Sequence, residues 1–455
     1  MCGIAGYINQ STRLRSNRDV LSKMLDKLRH RGPDHQIVFQ PDPNIHLGYT
    51  RFVINDPESG NQPYLNENKS IACFFNGEIY NWKEIKEWLI HRGHNFKSEC
   101  DGEVLPHLYE EYSADFVKKL EGMYAISILD LKNHKLLLAR DRIGEKPLYY
   151  AINPEFFLFA STIPPLLASG LINKDLDLQS IAEFFTFRYV PYTNSVLKSV
   201  KRLEPASVLI FDYGAWKLSH KIYWKPEICQ PLIISEEKAI EELGNLLFNS
   251  IKLRTDTDKG LKIGTALSGG IDSSTITALS RKFQNDRDLH SFSVHVKDDP
   301  EDLDAIRTVV RRVKTKHHWI DCNTTDINLL PSIVAMMGEP ISAGMTIPSY
   351  QCYKEARRKN VKVLFCGDGS DELFAGYSGR LIMDGIIKKW DSLDAKTRTN
   401  YLRERPVLAR QIKSKLNDPS LSILDRYTIW DDDNCFDLDT RAKLLQGTKI
   451  SDLDP

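Results

Sequence analysis

The chain has 455 residues, too many for one ordinary hydrophobic core, and this length predicts two domains. Its 61 basic residues balance 61 acidic ones, so charge gives no reason to expect a nucleic-acid or anionic-membrane partner. The eight cysteines contain no Cys-x-x-Cys pair, which argues against a zinc cluster or a disulfide framework and favours a reducing compartment. Without a signal peptide or a plausible membrane span, the protein is expected in the cytoplasm.

The N-terminus begins Met1-Cys2-Gly3. Removal of the initiator methionine would leave Cys2 with both a thiol and a free α-amino group. An α-amino group, whose ordinary pKa is about 8, can activate its own thiol directly or through a water. Taken alone, a cysteine at this position is more simply explained as incidental, so the assignment depends on the motifs that follow.

The first half predicts alternating strands and helices. A helix from about residue 19 leads into a charged turn at 30–34, and an alternating strand at 47–54 carries Arg51. A strand ending near residue 75 is predicted to enter an Asn76-Gly77 turn before a helix at 82–92, and Asp101 opens the next helix. Residues 123–223 read as consecutive hairpins, and the proline-containing tract 224–234 reads as a linker.

Together with Cys2, these motifs resemble the glutaminase domain of class II glutamine amidotransferases, which are N-terminal nucleophile hydrolases. The stretches at 120–125 and 139–150 are similar to the asparagine synthetase family in particular. The resemblance implies an α/β/β/α sandwich over residues 1–223, followed by a second domain at 235–455.

The resemblance also implies roles for individual residues. Cys2 would attack the side-chain amide of glutamine, and the Asn76 amide and the Gly77 N–H would hold the oxyanion. Arg51 would bind the α-carboxylate of glutamine and Asp101 its α-ammonium, with Glu78 also in the glutamine site.

The second half predicts a doubly wound α/β domain. A helix at 235–253 is expected to bury Ile240, Leu243, Leu247 and Ile251. Four strands are predicted, at 261–267, 290–296, 316–322 and 361–366. Helices lie between them, among them 272–283 and 302–313. The first of these two helices has Ile276, Leu279 and Phe283 on one face. This alternation favours a parallel sheet with ligands beyond the carboxyl ends of its strands.

Residues 268–274, Ser-Gly-Gly-Ile-Asp-Ser-Ser, join the first of these strands to a helix. Two glycines and a helix start expose N–H groups suited to a phosphate, and Asp272 suits a magnesium ion that bridges to phosphates. The loop resembles that of the N-type ATP pyrophosphatases. The predicted ATP-binding residues are Leu267, Ser268, Gly269, Gly270, Asp272, Ser273, Ser274, Val294, Gly367 and Asp368.

A second turn, at 366–377, carries several carboxylates between glycines. The resemblance assigns Asp371 to Mg²⁺ beside Asp272, and Asp368 to formation of an acyl-adenylate. Two features depart from the family. Ala343-Gly344-Met345 replaces the usual Asp-Ser-Ser, and residues 378–455 contain neither the family's Val-Pro-Phe-Leu-Asp stretch nor its late lysine. These departures predict a less polar acceptor pocket and a chain that is either a natural short form or missing a part.

The resemblance therefore implies a glutamine-dependent synthesis of asparagine, with glutamine, aspartate and magnesium-ATP as ligands, and a homodimer is the possible assembly. Two alternatives stay open at this point. One is an amidotransferase for another carboxylate acceptor, such as a sugar acid or a peptide. The other is a truncated form that only hydrolyses glutamine or binds ligands.

Overall fold

The computed structural model describes residues 1–10, 18–54, 60–191, 193–227, 232–255, 261–284, 289–296 and 303–376, with 392–394 and 397. The predicted C-terminal region, including residues 449–455, lies almost entirely outside the described residues. No described helix has the length and apolar character needed to cross a bilayer.

The first half is built mainly from antiparallel strands. Its described strands are β1 (Gly3–Asn9), β2 (His35–Asp42), β3 (Ile45–Arg51), β4 (Tyr64–Leu65), β5 (Ile71–Ile79), β6 (Gly122–Asp130), β7 (Lys135–Arg140), β8 (Tyr149–Ile152), β9 (Phe156–Ala160), β10 (Lys201–Arg202), β11 (Ser207–Asp212) and β12 (Lys217–Ile222). Its described α-helices are α1 (Arg18–Asp26), α2 (Trp82–His91), α3 (Val104–Tyr112), α4 (Ile163–Ala168) and α5 (Leu178–Phe187).

These strands form two six-stranded sheets that pack face to face. One has the order β10-β8-β9-β1-β3-β2 and the other β12-β11-β7-β6-β5-β4. Alternation along β1 shows why the layers form, because Ile4 and Ile8 point into the core between the sheets while Ala5 and Tyr7 point towards α1 and α4. The second sheet packs its other face on α2 and α3. The predicted α/β/β/α sandwich is confirmed.

The predicted Asn76-Gly77 turn is wrong. β5 runs straight through both residues, with Asn76 opposite Ala125 and Gly77 opposite Tyr124 in an unbroken register with β6. An Asn-Gly pair is a local hairpin signal, but here nine residues of cross-strand pairing override it.

The second half has parallel strands separated by helices. Its described elements are α6 (Glu236–Thr255), β13 (Ile263–Ala266), α7 (Ile271–Phe283), β14 (His290–Val296), α8 (Leu303–Val313), β15 (Lys316–Cys322), α9 (Leu330–Met337), α10 (Ala343–Arg358), β16 (Val363–Phe365) and α11 (Ser370–Phe374). The parallel sheet has the order β15-β14-β13-β16 and confirms the predicted class. Strand order reverses between β13 and β16, and ligands of such sheets bind at this reversal.

Two helices of this half, α6 and α7, bury different residues from those predicted. Of the four α6 residues expected in the core, Ile251 is buried whereas Ile240 and Leu243 are exposed. On α7 the fully buried side chains are the small hydroxyl residues Ser273, Thr277 and Ser280. Phe283 instead packs on Phe248 of α6, with ring centroids 4.7 Å apart.

Glu339 joins the two halves of the chain. Its Oε2 accepts hydrogen bonds from Arg202 Nη2 at 2.6 Å and from the Tyr149 hydroxyl at 3.0 Å. A second contact runs from Lys362 Nζ to the Val53 carbonyl oxygen at 2.7 Å. Glu339 is thus engaged with β8 and β10. The division at residues 223 and 235 stays a prediction.

Candidate active site

A cleft of about 550 Å³, open to solvent, lies beside the N-terminus. The structure brings together in its wall every residue predicted for glutamine: Cys2, Arg51, Asn76, Gly77, Glu78 and Asp101. They come from the residue before β1, from β3 and β5, and from the 3₁₀ segment Asp101–Glu103, so the sandwich rather than any single element assembles the site.

The Cys2 thiol is held by the end of β3. Its Sγ lies 3.3 Å from the Tyr49 hydroxyl and accepts a hydrogen bond from the Phe52 N–H at 3.4 Å. The Cys2 carbonyl oxygen accepts a bond of 3.0 Å from Arg31 Nε, in the charged turn after α1. These contacts fix the first residues of β1 and leave the thiol at the wall of the cleft.

One edge of β5 faces this cleft. In the pairing with β6, the backbone groups of Tyr124 bond to Asp141 on the far side, so Gly77 opposite Tyr124 directs its N–H away from β6. Phe75 lies two residues before Gly77, so its backbone also points away from β6. The Gln62 side chain forms hydrogen bonds with both the N–H and the C=O of Phe75. The Ile79 N–H likewise donates to Asp101 Oδ2 at 2.8 Å. Gly77 lies between Phe75 and Ile79, whose backbone groups are both hydrogen-bonded by side chains.

The side chain of Asn76 is only 1% exposed, and its Nδ2 has no hydrogen-bond partner within the described part of the chain. A buried amide donor without a partner costs free energy of about 1–3 kcal/mol. Since Asn76 lines the same cleft as Cys2, a ligand oxygen would remove that cost.

The cleft holds charged groups of both signs. Arg51 is buried and its Nη1 donates to Asn61 Oδ1 at 3.0 Å. Burial raises the pKa of the Glu78 carboxyl to about 7, and the nearby negative charge of Asp101 adds to the rise. Two neighbouring carboxylates and a guanidinium in one cleft supply the charges that the ammonium and carboxylate of an α-amino acid need.

Other basic groups in the cleft are strongly desolvated. Burial lowers the pKa of the Met1 α-amino group to about 5, with further lowering by Arg31 and Lys146. Burial also lowers the pKa of Lys146, whose Nζ lies 2.9 Å from Met123 Sδ. Burial thus shifts both amines towards their neutral forms.

The predicted phosphate loop connects β13 to α7. Gly269 adopts a φ of +85°, which a residue with a side chain rarely does, and Gly270 is the N-cap of α7. The Ser273 hydroxyl closes the loop, since it accepts a 3.2 Å bond from the Ser268 N–H and lies 3.1 Å from Ser268 Oγ. The Ser274 hydroxyl is buried and unpartnered among the described residues.

The remaining predicted ATP residues surround this loop. Leu267 donates its N–H to the Phe292 carbonyl at 2.8 Å and accepts a hydrogen bond from the Ser293 hydroxyl. Val294 lies two residues along β14 from Phe292, towards the same carboxyl end.

The acidic turn after β16 packs directly on this loop. A Cβ added to Gly367 would lie 3.1 Å from Asp272 Cβ and 3.4 Å from the Ser273 nitrogen. The Asp368 carboxylate accepts a hydrogen bond from the Cys366 thiol at 3.0 Å. Asp371 lies in the first turn of the short α11, and its Oδ1 would lie 1.8 Å from a Cβ on Gly376. In the described ranges, no three of the carboxylates of Asp272, Asp368, Asp371 and Glu372 gather within 4.8 Å.

Sequence reasoning missed several residues that line the cleft beside Cys2, among them Tyr49, Gln62 and Lys146. Tyr49 could have been found, because it lies two positions before Arg51 on a strand and so faces the same side. Gln62 and Lys146 lie in loops, and their position in the cleft depends on contacts that no local pattern encodes.

Comparisons with known proteins cover almost the whole chain. A glutamine amidotransferase domain model matches residues 1–224 and an asparagine synthase model matches residues 242–434. A protein of Methanocaldococcus jannaschii, named as a candidate glutamine-hydrolysing asparagine synthetase, is 32% identical over 91% of this chain and 81% of its own length. Asparagine synthetase (glutamine-hydrolysing) 1 of Bacillus subtilis is 31% identical over 83% of this chain, but the chain spans 59% of that relative.

A solved glutamine phosphoribosylpyrophosphate amidotransferase from B. subtilis aligns over 80% of this chain and 90% of that one. The identity is 14% and the TM-score 0.37, so this likeness carries no argument here.

Proposed function

Because the chain belongs to the family of glutamine-hydrolysing asparagine synthetases, we propose that it releases ammonia from glutamine at Cys2 and uses it to amidate an ATP-activated aspartate. One observation carries the first half of this proposal. Asn76 Nδ2, which has no hydrogen-bond partner among the described residues, and the outward-facing Gly77 N–H share a cleft with the Cys2 thiol.

In the proposed glutaminase reaction, Cys2 Sγ attacks the side-chain amide carbon of glutamine. The thiol proton passes to the α-amino group freed by removal of Met1, and from there to the departing nitrogen, which leaves as ammonia. Asn76 Nδ2 and the Gly77 N–H donate to the oxyanion of the tetrahedral intermediate. Water then attacks the thioester carbon, which releases glutamate and restores the thiol.

Glutamine would be oriented by its α-amino-acid end. The Arg51 guanidinium suits the α-carboxylate, and the carboxylates of Asp101 and Glu78 suit the α-ammonium. The ammonium would favour the ionised form of Glu78, whose pKa burial raises to about 7. Glutamine binding and ionisation of Glu78 are thus expected to be coupled.

In the second half, the loop at residues 267–274 is proposed to hold the pyrophosphate part of ATP. Three features of the loop fit that group: the left-handed Gly269, the N-terminus of α7 and the Ser274 hydroxyl, which has no partner in the described part of the chain. Asp272 and Asp371 are proposed to bind the Mg²⁺ that accompanies ATP and supplies positive charge to the phosphates. Val294 and Gly367 would border the nucleotide.

The proposed synthetase reaction proceeds in two steps. The side-chain carboxylate of aspartate attacks the α-phosphorus of ATP and displaces pyrophosphate, with Asp368 positioned beside the forming aspartyl-AMP. Ammonia from the glutaminase site then attacks the activated carbonyl carbon and displaces AMP, giving asparagine. We further propose a cytoplasmic location and a homodimeric assembly, both of which follow from the sequence-based expectation.

The test is a pyrophosphate-release assay on the full chain with magnesium-ATP, aspartate and either glutamine or ammonium. We expect aspartate-dependent pyrophosphate release with both nitrogen sources, and expect Cys2→Ala to retain only the ammonium-dependent reaction. Release of pyrophosphate with another carboxylate but not aspartate would identify a different acceptor. Glutamine hydrolysis without any pyrophosphate from any acceptor would reduce the function to that of a glutaminase.

A further inference from the structure

Four metal-ligating side chains converge on the outer helical layer of the first half, away from the residues that line the glutamine cleft. Glu67 follows β4, His94 follows α2, and His107 and Glu110 lie one turn apart on α3. One ligand atom from each lies within 4.8 Å of the others. The elements that carry them are distant in sequence, so only the fold assembles this group.

The spacing of these atoms suits a tetrahedral ion. His94 Nδ1 lies 3.2 Å from His107 Nδ1 and 3.2 Å from Glu67 Oε1, and His107 Nδ1 lies 3.4 Å from Glu67 Oε2. Zn–N and Zn–O bonds of about 2.0–2.1 Å place neighbouring tetrahedral ligands roughly 3.3 Å apart. Glu110 Oε2 lies 3.9 and 4.0 Å from the two imidazole nitrogens, so a small carboxylate rotation would complete the set.

Surrounding groups hold three of the four side chains in place, whereas the far nitrogen of His107, Nε2, is buried without a partner among the described residues. The far nitrogen of His94, Nε2, lies 3.3 Å from Glu111 Oε1, and Arg92 fixes the other oxygen of Glu111 at 2.6 Å. Asn66 Nδ2 donates to Glu110 Oε1 and the Asn95 N–H donates to Glu67 Oε1, both at 2.9 Å. A carboxylate that orients the second nitrogen of a histidine is the usual partner of a metal-bound imidazole.

We propose that Glu67, His94, His107 and Glu110 form a structural Zn²⁺ site. The His107 side chain is 1% exposed whereas that of Glu67 is 36% exposed, so the ion would enter from the carboxylate side. Bound zinc would join the β4–β5 turn to α3 and to the segment after α2. That segment leads to Asp101, and β4 carries Tyr64, both of which line the glutamine cleft.

The experiment uses the full chain after treatment with EDTA, titrated with Zn²⁺ alone and followed by metal analysis and thermal unfolding. We expect one equivalent bound and a Zn²⁺-dependent rise in the unfolding midpoint. His94→Gln and Glu110→Gln should lose this binding, and Glu111→Gln should weaken it about 10- to 100-fold. His91→Gln, an exposed histidine one turn earlier, should bind as the parent does.

Cobalt substitution separates this site from the cysteines and needs no variant. Co²⁺ at a histidine and glutamate site should show ligand-field bands without the intense charge-transfer absorption of thiolate ligands. Failure of the parent chain to bind Zn²⁺ would show that the four side chains form only a hydrogen-bonded cluster. Binding that survives both ligand variants, or thiolate absorption with Co²⁺, would likewise overturn the proposal.

Discussion

The Asp101 carboxylate accepts a hydrogen bond of 2.8 Å from the Ile79 N–H at the exposed edge of β5. Gln62 bonds the backbone of Phe75 on the same edge, four residues earlier. The position between these caps belongs to Gly77, whose N–H points to the cleft. Side chains thus bond the backbone on either side of Gly77 and leave the Gly77 N–H for the proposed oxyanion. The register of β5 against β6 therefore decides which backbone N–H faces the cleft.

The first prediction concerns Asn76→Ala. Removing its amide takes away one proposed oxyanion donor, so we expect kcat for glutamine hydrolysis to fall about 100- to 1,000-fold with little change in KM. Asn9→Ala is the matched control. Asn9 is also a buried asparagine with an unpartnered side-chain atom among the described residues, but it does not line the cleft. Equal losses in both variants would point to folding rather than to the oxyanion.

The second prediction compares two Gly→Ala changes by denaturant unfolding. At Gly77 a Cβ would lie 2.1 Å from the Met123 carbonyl oxygen, so the β5–β6 ladder must shift and we expect destabilisation by about 1–3 kcal/mol or more. At Gly244, inside α6, nothing lies within 4 Å of the added carbon, and we expect stabilisation by about 0.5–1 kcal/mol. A stable, fully active Gly77→Ala would refute the close approach of β6.

Local sequence pattern predicted most of this architecture. Apolar residues recur at every second position in strands and at about every fourth position in helices, so each type of element can be recognised from its own sequence. The predictions failed where contacts between residues distant in the sequence outweigh the local pattern. Asn76-Gly77 carries a hairpin signal, yet β5 continues because β6 pairs with it throughout. On α7 the periodic apolar residues predicted the buried face, but the buried residues are the small Ser273, Thr277 and Ser280, and Thr277 bonds to Thr265 of β13.

Site residues were predictable where a resemblance supplied several motifs at once, as for Cys2, Arg51 and Asp101, which the structure gathers in one cleft. The cluster of Glu67, His94, His107 and Glu110 had no such signal. Its four side chains come from a turn, a loop and a helix. The lack of paired cysteines argues only against a cysteine-bound zinc ion and does not bear on a site made of histidine and glutamate.

The third prediction concerns pH and Glu78. Burial raises its pKa from an ordinary value of about 4.3 to about 7, so the folded state holds this proton more tightly than the unfolded chain. The free energy of unfolding should therefore decrease as pH rises from about 4 to about 7. Glu78→Gln avoids this loss, and we expect it to be more stable than the parent by about 1–3 kcal/mol near pH 8, with the difference closing towards about pH 4.

The same ionisation should govern glutamine binding. In the parent, KM for glutamine is expected to rise as pH falls below about 7, since protonated Glu78 no longer attracts the α-ammonium. Glu78→Gln should show a higher KM with a weaker dependence on pH over this range. Exposed Glu84→Gln on α2 serves as the control, and a parental KM profile in Glu78→Gln would remove Glu78 from the glutamine site.

The fourth prediction separates two serines on α7. Both Ser274 Oγ and Ser280 Oγ are buried without a hydrogen-bond partner among the described residues, but Ser274 lies in the first turn of the helix, beside the Gly269-Gly270 loop. A hydroxyl that donates to a charged phosphate contributes about 1.5–3 kcal/mol, so Ser274→Ala should lower kcat/KM for ATP about 10- to 150-fold in the pyrophosphate assay. Ser280→Ala, two turns further along, should leave ATP kinetics unchanged. An effect of Ser280→Ala equal to that of Ser274→Ala would attribute the loss to helix packing, because only the first turn of α7 can reach a phosphate in the loop.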